Sequence, residues 1–347
     1  MSRAEHPITL KLDPWATSSL LQKAIRRSEV ELALHAAREL YRYRGKAVFR
    51  RLLNVAFEDV GIANPELVAE VTFLTFDKQA RAMIGSDLEL ILDLAKRLAL
   101  SPKDRSTDYL VCSAIKSAEG KAKQAHMHGK ATSELIGIIV DPQQPLLRRA
   151  CAALVACTAE NVMVLGPTLR TILGELDGQN PSPLHGAVEA AAKRSLGSYI
   201  LMAPLLWLSM QREPAHVRVI DEELPATEYL GGIPLYTFDK HTSVGKRAIS
   251  RLFKENAEMR RVVLEFAAPA AAEKVAAMAA FYADAVPIKR RLEWALSPHL
   301  RALGCDADMV GAGCDPKGVG AALEVVDHNL PQLGELRLSL LEASNVP

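Results

Sequence analysis

Apolar residues recur along this chain at helical rather than alternating spacing, and the first third is the most sharply punctuated. Leu20, Leu21, Ala24 and Ile25 form one short apolar stripe. Ser28 and Glu31 then have the spacing of a capping box, which predicts a new helix burying Val30, Ala33, Leu34, Ala37, Leu40 and Tyr41. Gly45 closes it. The next helix presents Val48, Phe49, Leu52, Leu53, Ala56 and Val60 before stopping at Gly61, a residue suited to a left-handed cap. Asn64 followed by Pro65 predicts a further start, because Asn accepts an orphan amide bond and Pro has no amide to orphan. Ser86 and Glu89 repeat the capping-box spacing, and Leu88, Ile91, Leu92, Ala95 and Leu98 lead to a stop at Pro102. Helices in close succession predict an antiparallel bundle.

Beyond residue 120 the pattern predicts helices near 143–158, 161–176, 184–201, 241–266, 270–284, 287–302 and 317–343. Leu135 to Val140, Val217 to Ile220 and Ile233 to Phe238 have β-branched or alternating character and are read as loops or isolated strands. Gly174 to Pro183, Gly231 to Pro234 and Gly304 to Gly320 read as loops by composition. No repeat of fixed period is evident. The expected class is all-α, with a helical bundle over 1–120 and a second, mainly helical domain over 121–347.

The 347 residues are 49% apolar, enough for two or three cores without staples, and aromatic content is only 5%. With 42 Lys+Arg against 41 Asp+Glu the net charge is +1, so no whole-chain charge argument for nucleic acid or membrane exists and local charge decides. Cys112, Cys151, Cys157, Cys305 and Cys314 are scattered without CxxC spacing, which argues against a disulfide framework or a zinc site. Arg3, Glu5 and His6 stand where a signal peptide needs an apolar core, and the apolar stretch Tyr199 to Met210 is short and broken by Pro204. A cytoplasmic protein with no membrane partner is the expectation.

Standard catalytic patterns are absent. Val244-Gly245-Lys246-Arg247 approaches a phosphate loop, but Lys240 replaces its first glycine and Arg247 its hydroxyl. His126 and His128 with Lys121, Lys123 and Lys130 read as a solvated basic turn, since histidines two apart diverge on a helix. Glu58 and Asp59 oppose the dipole at a helix end, so a cation such as Arg50 or Arg51 should compensate them. The most suggestive segment runs from Asp239 to Arg247: Lys240, His241, Thr242, Lys246, Arg247 and the later Arg251 place hydroxyl, imidazole and cations at a helix start, an arrangement suited to a phosphate anion. The competing reading is a capped surface helix with hydrated charges. Arg38, Arg42, Arg44, Lys46, Arg50 and Arg51 form a second basic cluster. No catalytic residue, metal ligand or cofactor is assigned; an enzyme site near His241 stands as the remaining alternative.

A family resemblance adds to this. Leu21 to Arg27 and Ser28 to Leu34 have small-residue-rich helices. Arg50-Arg51-Leu-Leu with Ala56-Phe-Glu-Asp-Val-Gly-Ile-Ala-Asn-Pro65 gives the strongest stretch, and Leu94-Ala95, Leu98-Ala99, Ser101-Pro102-Lys103 and Tyr109 follow. Over about residues 20–119 these resemble the C-terminal, non-ATPase region of the RarA/MgsA family of clamp-loader-like AAA+ proteins, which includes the Werner helicase-interacting protein. The resemblance implies a collar-like bundle that assembles as a homotetramer, in proteins acting at stalled replication forks. Its signature falls on Glu58, Asp59, Gly61, Asn64, Pro65, Pro102 and Lys103. It covers under a third of the chain, and no ATPase phosphate loop accompanies it. The resulting expectation is a homo-oligomeric, non-catalytic scaffold for replication, recombination or repair proteins, with direct DNA binding after Gly245 as the alternative.

Overall fold

The computed structural model describes residues 8–158, 167–192 and 198–344. Arg3, Glu5 and His6 lie outside the described residues, as do the start of the helix expected over 161–176 and positions 193–197 of the helix expected over 184–201.

The chain is all-α, 77% helical with 5% strand. It runs through α1 (Pro14–Arg26), α2 (Val30–Arg44), α3 (Val48–Val55), α4 (Pro65–Phe76), α5 (Lys78–Ile84), α6 (Asp87–Leu100) and α7 (Ser106–Lys116). Next come α8 (Ala118–Met127), α9 (Thr132–Val140), α10 (Leu146–Thr158), α11 (Pro167–Gln179), α12 (Pro183–Ala192) and α13 (Met202–Gln211). Short strands β1 (Arg218–Asp221), β2 (Tyr229–Leu230) and β3 (Ile233–Pro234) precede α14 (Ser243–Glu255), α15 (Ala257–Phe266) and α16 (Pro269–Ala280). Then follow β4 (Arg290–Glu293), α17 (Ser297–Ala312), α18 (Val319–His328) and α19 (Leu330–Ser344).

These elements form two compact units, each discontinuous in sequence. The first holds Met1–Gly45, Glu223–Lys289 and Met309–Pro347; the second holds Lys46–Glu222 and Arg290–Asp308. Neither unit divides at residue 120, where the sequence pattern suggests a boundary. Gly120 sits within α8 in the second unit, and a Cβ there would lie 2.3 Å from the Ala114 carbonyl oxygen. The N-terminal bundle expected of consecutive helices is likewise split at Gly45. Its α1 joins residues remote in sequence, with Ser19 Oγ donating to the Thr237 carbonyl 218 positions away at 2.7 Å.

In the first unit α1 buries Leu20, Leu21, Ala24 and Ile25 as the stripe predicts, and with them the charged Lys23, Arg26 and Arg27. The expected capping box at Ser28 is not formed. Helix α2 starts at Val30 without a side-chain cap, and Ser28 adopts a left-handed φ of 57°, where the Ser28 and Glu29 amides close off the end of α1 on Ile25 and Ala24. The helix expected over 241–266 is two helices, because Asn256 Oδ1 accepts the Met259 amide at 2.8 Å and starts α15. A similar break at Asn329 separates α18 from α19. Strands β2 and β3 form a two-residue antiparallel pairing, and Ile233 to Phe238 otherwise turns as 3-10 helix.

In the second unit α3 widens into a π turn over Ala56–Val60 and a 3-10 turn over Gly61–Ala63 before α4, whose Asn64 Oδ1 accepts the Leu67 amide at 3.1 Å. Ser86 and Glu89 form the reciprocal capping box that starts α6, as expected. Leu135 to Val140 is helical rather than strand or loop: Leu135 and Ile139, four apart, are the buried pair. Most of the loop expected from Gly174 to Pro183 is α11, whose buried Ile172, Leu173 and Leu176 outweigh two outward-facing glycines. The loop expected from Gly304 is α17 up to Ala312, and the helix expected from 287 instead opens as β4, antiparallel to β1 with Arg218 opposite Glu293.

Candidate functional site

The signature residues converge in the second unit. The π turn places Glu58 and Asp59 beside α7, where Arg105 Nη1 donates to Asp59 at 2.6 Å and Glu58 at 3.4 Å, and Arg105 Nη2 pairs with Asp108. Asp59 is 0% and Arg105 2% exposed. Burial works against the Arg105 charge, but Asp108, Asp59 and Glu58 together outweigh it and hold the guanidinium pKa well above its usual value. Arg105, 46 positions beyond Asp59, is a compensating cation that the sequence expectation of Arg50 or Arg51 does not name.

Around this ion cluster each remaining signature residue has a positioning task. Gly61, at φ +51°, allows the chain to pass so close that a Cβ would meet the Asp104 carbonyl oxygen at 2.8 Å. Asn64 caps α4 and also donates through Nδ2 to Ser101 Oγ at 3.0 Å. Pro65 opens α4, and Pro102 follows the last residues of α6. Lys103 is fully buried, its ammonium donating to the carbonyls of Ala99 (3.0 Å) and Ser101 at the end of α6. Burial, opposed by Asp59 and reinforced by Arg290, lowers its pKa to about 7. Asp104, raised by burial against hydrogen bonds from Ser106 and Trp294, accepts the Trp294 indole N–H at 2.9 Å. Arg105, Asp104 and Asp108 escape sequence reasoning, although three charged residues within five positions of Ser101-Pro102-Lys103 are a local signal.

The basic segment of the first unit is only partly available to a ligand. Thr242 is buried and caps α14, its Oγ1 accepting the Gly245 amide at 3.1 Å and donating to the Asp239 carbonyl at 3.0 Å. The expected hydroxyl contact to an anion is therefore taken by the helix itself. Gly245 is a close-approach glycine rather than part of a phosphate cradle, because a Cβ would fall 1.9 Å from the Asp239 carbonyl oxygen. His241 packs edge-on against Phe281 at 5.5 Å, and burial lowers its pKa. Lys240 lies over the same ring at 4.6 Å. The Asp239 carboxylate turns to Lys23 at 2.8 Å and to the His241 backbone amide at 2.9 Å. Burial lowers the Lys23 pKa to about 8 against the pull of Asp239. Lys246 and Arg247 are exposed on α14, while Arg251 pairs with Glu255 at 2.6 Å.

Other clusters take the bland reading. Lys123 pairs with Glu119 and Lys130 with Glu134, and His126 and His128 are exposed. Arg42 pairs with Glu39, and Arg44 stacks over Trp15. Cys151 is buried and its thiol is pushed up to about 11, mainly by burial. Among the described residues no group of three or more His, Cys, Asp or Glu is placed to hold a metal ion, and no helix is long and apolar enough to cross a membrane. In comparisons with protein-family models, curated proteins and solved structures, nothing matches the chain.

Proposed function

We propose that this chain is a non-catalytic, self-associating scaffold that works with replication, recombination or repair proteins. The observation that carries the reading is the use made of the signature residues: Arg105 on Glu58 and Asp59, Asn64 on Ser101 and Lys103 on the end of α6 hold helices in place. A surface on the same unit supports self-association. Phe73 on α4 and Met83 and Ile84 on α5 are 53%, 87% and 62% exposed, within the segment that resembles a clamp-loader collar. The replication or repair setting rests on that resemblance to the RarA/MgsA family alone.

Light scattering coupled to size exclusion over a wide concentration range tests the reading. The expected mass is a multiple of 37.8 kDa that falls toward one chain in Phe73→Asp, Met83→Asp. A strictly monomeric wild type at the highest concentration contradicts it, and a pull-down from the native host containing no replication protein removes the setting.

Exposure of Lys246 and Arg247 favours a second reading, contact with DNA phosphate. Lys246→Ala, Arg247→Ala is expected to weaken DNA binding and flatten its log–log salt dependence by about one unit per lost phosphate contact. The thermal melt should hardly move, since solvated charges contribute little to stability. Arg251→Ala adds little, because Arg251 is engaged by Glu255. Equal binding by the double variant and the wild type rules this reading out.

A further inference from the structure

We infer that the open edge of β1, in the second unit, is a pairing surface for β1 of a second copy of this chain, joined antiparallel about a two-fold axis at Ile220. This goes beyond the self-association proposed above, because it uses a strand edge and not the α4–α5 surface.

The backbone accounting fixes which groups are on offer. On the far side of β4 the Lys103 amide donates to the Arg290 carbonyl, and the Leu292 amide to the Lys103 carbonyl, both at 2.9 Å. Backbone groups alternate in direction along a strand, so Arg291 and Glu293 face β1. Their register partners Ile220 and Arg218 therefore carry the bonds that join β1 to β4. Val219 and Asp221 point their amides and carbonyls the other way, where the two-stranded sheet ends and no hydrogen-bond partner stands among the described residues. Val219 is 44% exposed, and Arg218 and Asp221 are exposed, so the described residues leave this edge uncovered. An uncovered edge with unpaired backbone groups is a template for another strand.

The side chains of β1 complement a second β1. Outward-facing residues meet outward-facing residues across an antiparallel pair, so Val219 meets Val219, Asp221 meets Asp221, or the two meet each other. Asp221 on Asp221 sets like charges opposite. Val219 on Val219 leaves Arg218 facing Ile220. The mixed register brings Ile220 against Ile220 on the axis, at the close non-hydrogen-bonded spacing of about 4.5 Å, and Arg218 opposite Glu222 at both ends. Its Val219–Asp221 pairs exchange both backbone bonds and lie where opposing side chains stand farther apart. Arg218 is 70% exposed beside Glu293 at 2.8 Å, and Glu222 already bridges Arg291 at 2.7 Å and Arg301 at 3.1 Å, so the incoming guanidinium extends an existing network. Asp221, Glu222 and Glu293 stand against Arg218, Arg290, Arg291 and Arg301, a near balance that puts little net charge between the copies. So short an edge makes a contact at the weak end of interface strengths.

Disulfide capture in the full chain reads this register. The native cysteines give a low background, since Cys112, Cys151, Cys157 and Cys314 are buried and Cys305 is half-buried. Under mild oxidation by copper phenanthroline at high protein concentration, Ile220→Cys is expected to form a linked dimer at least about tenfold faster than Arg247→Cys, an exposed position on α14, because pairing raises the local thiol concentration. The yield should persist when Phe73→Asp and Met83→Asp are added. It should fall at least about fivefold with Val219→Asp, which sets a carboxylate opposite Asp221. Val219→Pro blocks the edge in another way, removing an amide that β4 does not use, so its melting midpoint stays near that of wild type. Should one of these two variants fail to fold, the other carries the test. Capture through Ile220→Cys no faster than through Arg247→Cys overturns the inference and leaves the edge to water or to a strand of a different protein. So does faster capture through Val219→Cys, which marks the other register, or a yield that survives Val219→Asp or Val219→Pro in a folded chain. A yield lost with Phe73→Asp and Met83→Asp assigns the contact to the helical surface and overturns it as well.

Discussion

Replacing Arg105 with Ala is expected to lower the unfolding free energy by about 3–5 kcal/mol, among the largest single-residue effects in the chain. Asp59, at 0% exposure, would lose the guanidinium 2.6 Å away, and Glu58 and Asp108 would lose the cation that joins them to it. The penalty arises chiefly from the carboxylate left buried, so removing it as well should recover much of the loss. Asp59→Asn combined with Arg105→Ala therefore falls well short of the sum of the two single changes, a coupling that a double-mutant cycle reads directly. Urea denaturation followed by circular dichroism gives the four free energies. A loss under about 1 kcal/mol for Arg105→Ala would mean that the cluster is not a structural clasp, and the scaffold reading would lose the observation it stands on.

That cluster also marks the limit of what pattern reading reaches. Gly61, Asn64-Pro65 and the Ser86–Glu89 box are legible because each acts within four residues of itself, through a left-handed φ, a cap or a reciprocal hydrogen bond. Ser28 shows how the same local logic errs: its spacing to Glu31 fits a cap, but closing α1 demands a left-handed residue at that position, and the tertiary arrangement wins. The all-α class follows from periodicity alone, whereas the two units do not, since each is assembled from segments discontinuous in sequence that no local signal relates. Lys23 is hidden for that reason, and Arg105 because its partner lies 46 positions away, beyond any local pattern. One sits within an apolar stripe and finds Asp239; the other follows a helix stop and finds Asp59. Glycine-rich stretches misled in the opposite sense, because Gly174 and Gly178 face outward on a helix held by its other side.

Stability should rise with pH across the range where lysine is ordinarily charged, with Lys103 as a principal cause. Its folded pKa is about 7 against an ordinary value of 10.5, with burial the main reason. Below pH 7 both folded and unfolded chains hold the proton, and the cost of burying the ammonium is fully present. Between about pH 7 and 10.5 the unfolded chain retains a proton that the folded chain has released, so the unfolding free energy gains up to about 1.4 kcal/mol per pH unit from this group. Lys23, whose pKa is lowered to about 8, adds a rise of the same sign that begins later. Comparing Lys103→Met with wild type by urea denaturation at several pH values from 6.5 to 9.5 isolates the first contribution. Methionine keeps the apolar stem and has nothing to titrate, although it gives up the bonds to the Ala99 and Ser101 carbonyls, which lowers its curve as a whole. The expected result is a shallower pH dependence in Lys103→Met, with the wild type gaining on the variant as pH increases. Parallel curves would show that Lys103 keeps its proton in the folded state, held by the carbonyls at the end of α6 and by Asp59 strongly enough to offset burial.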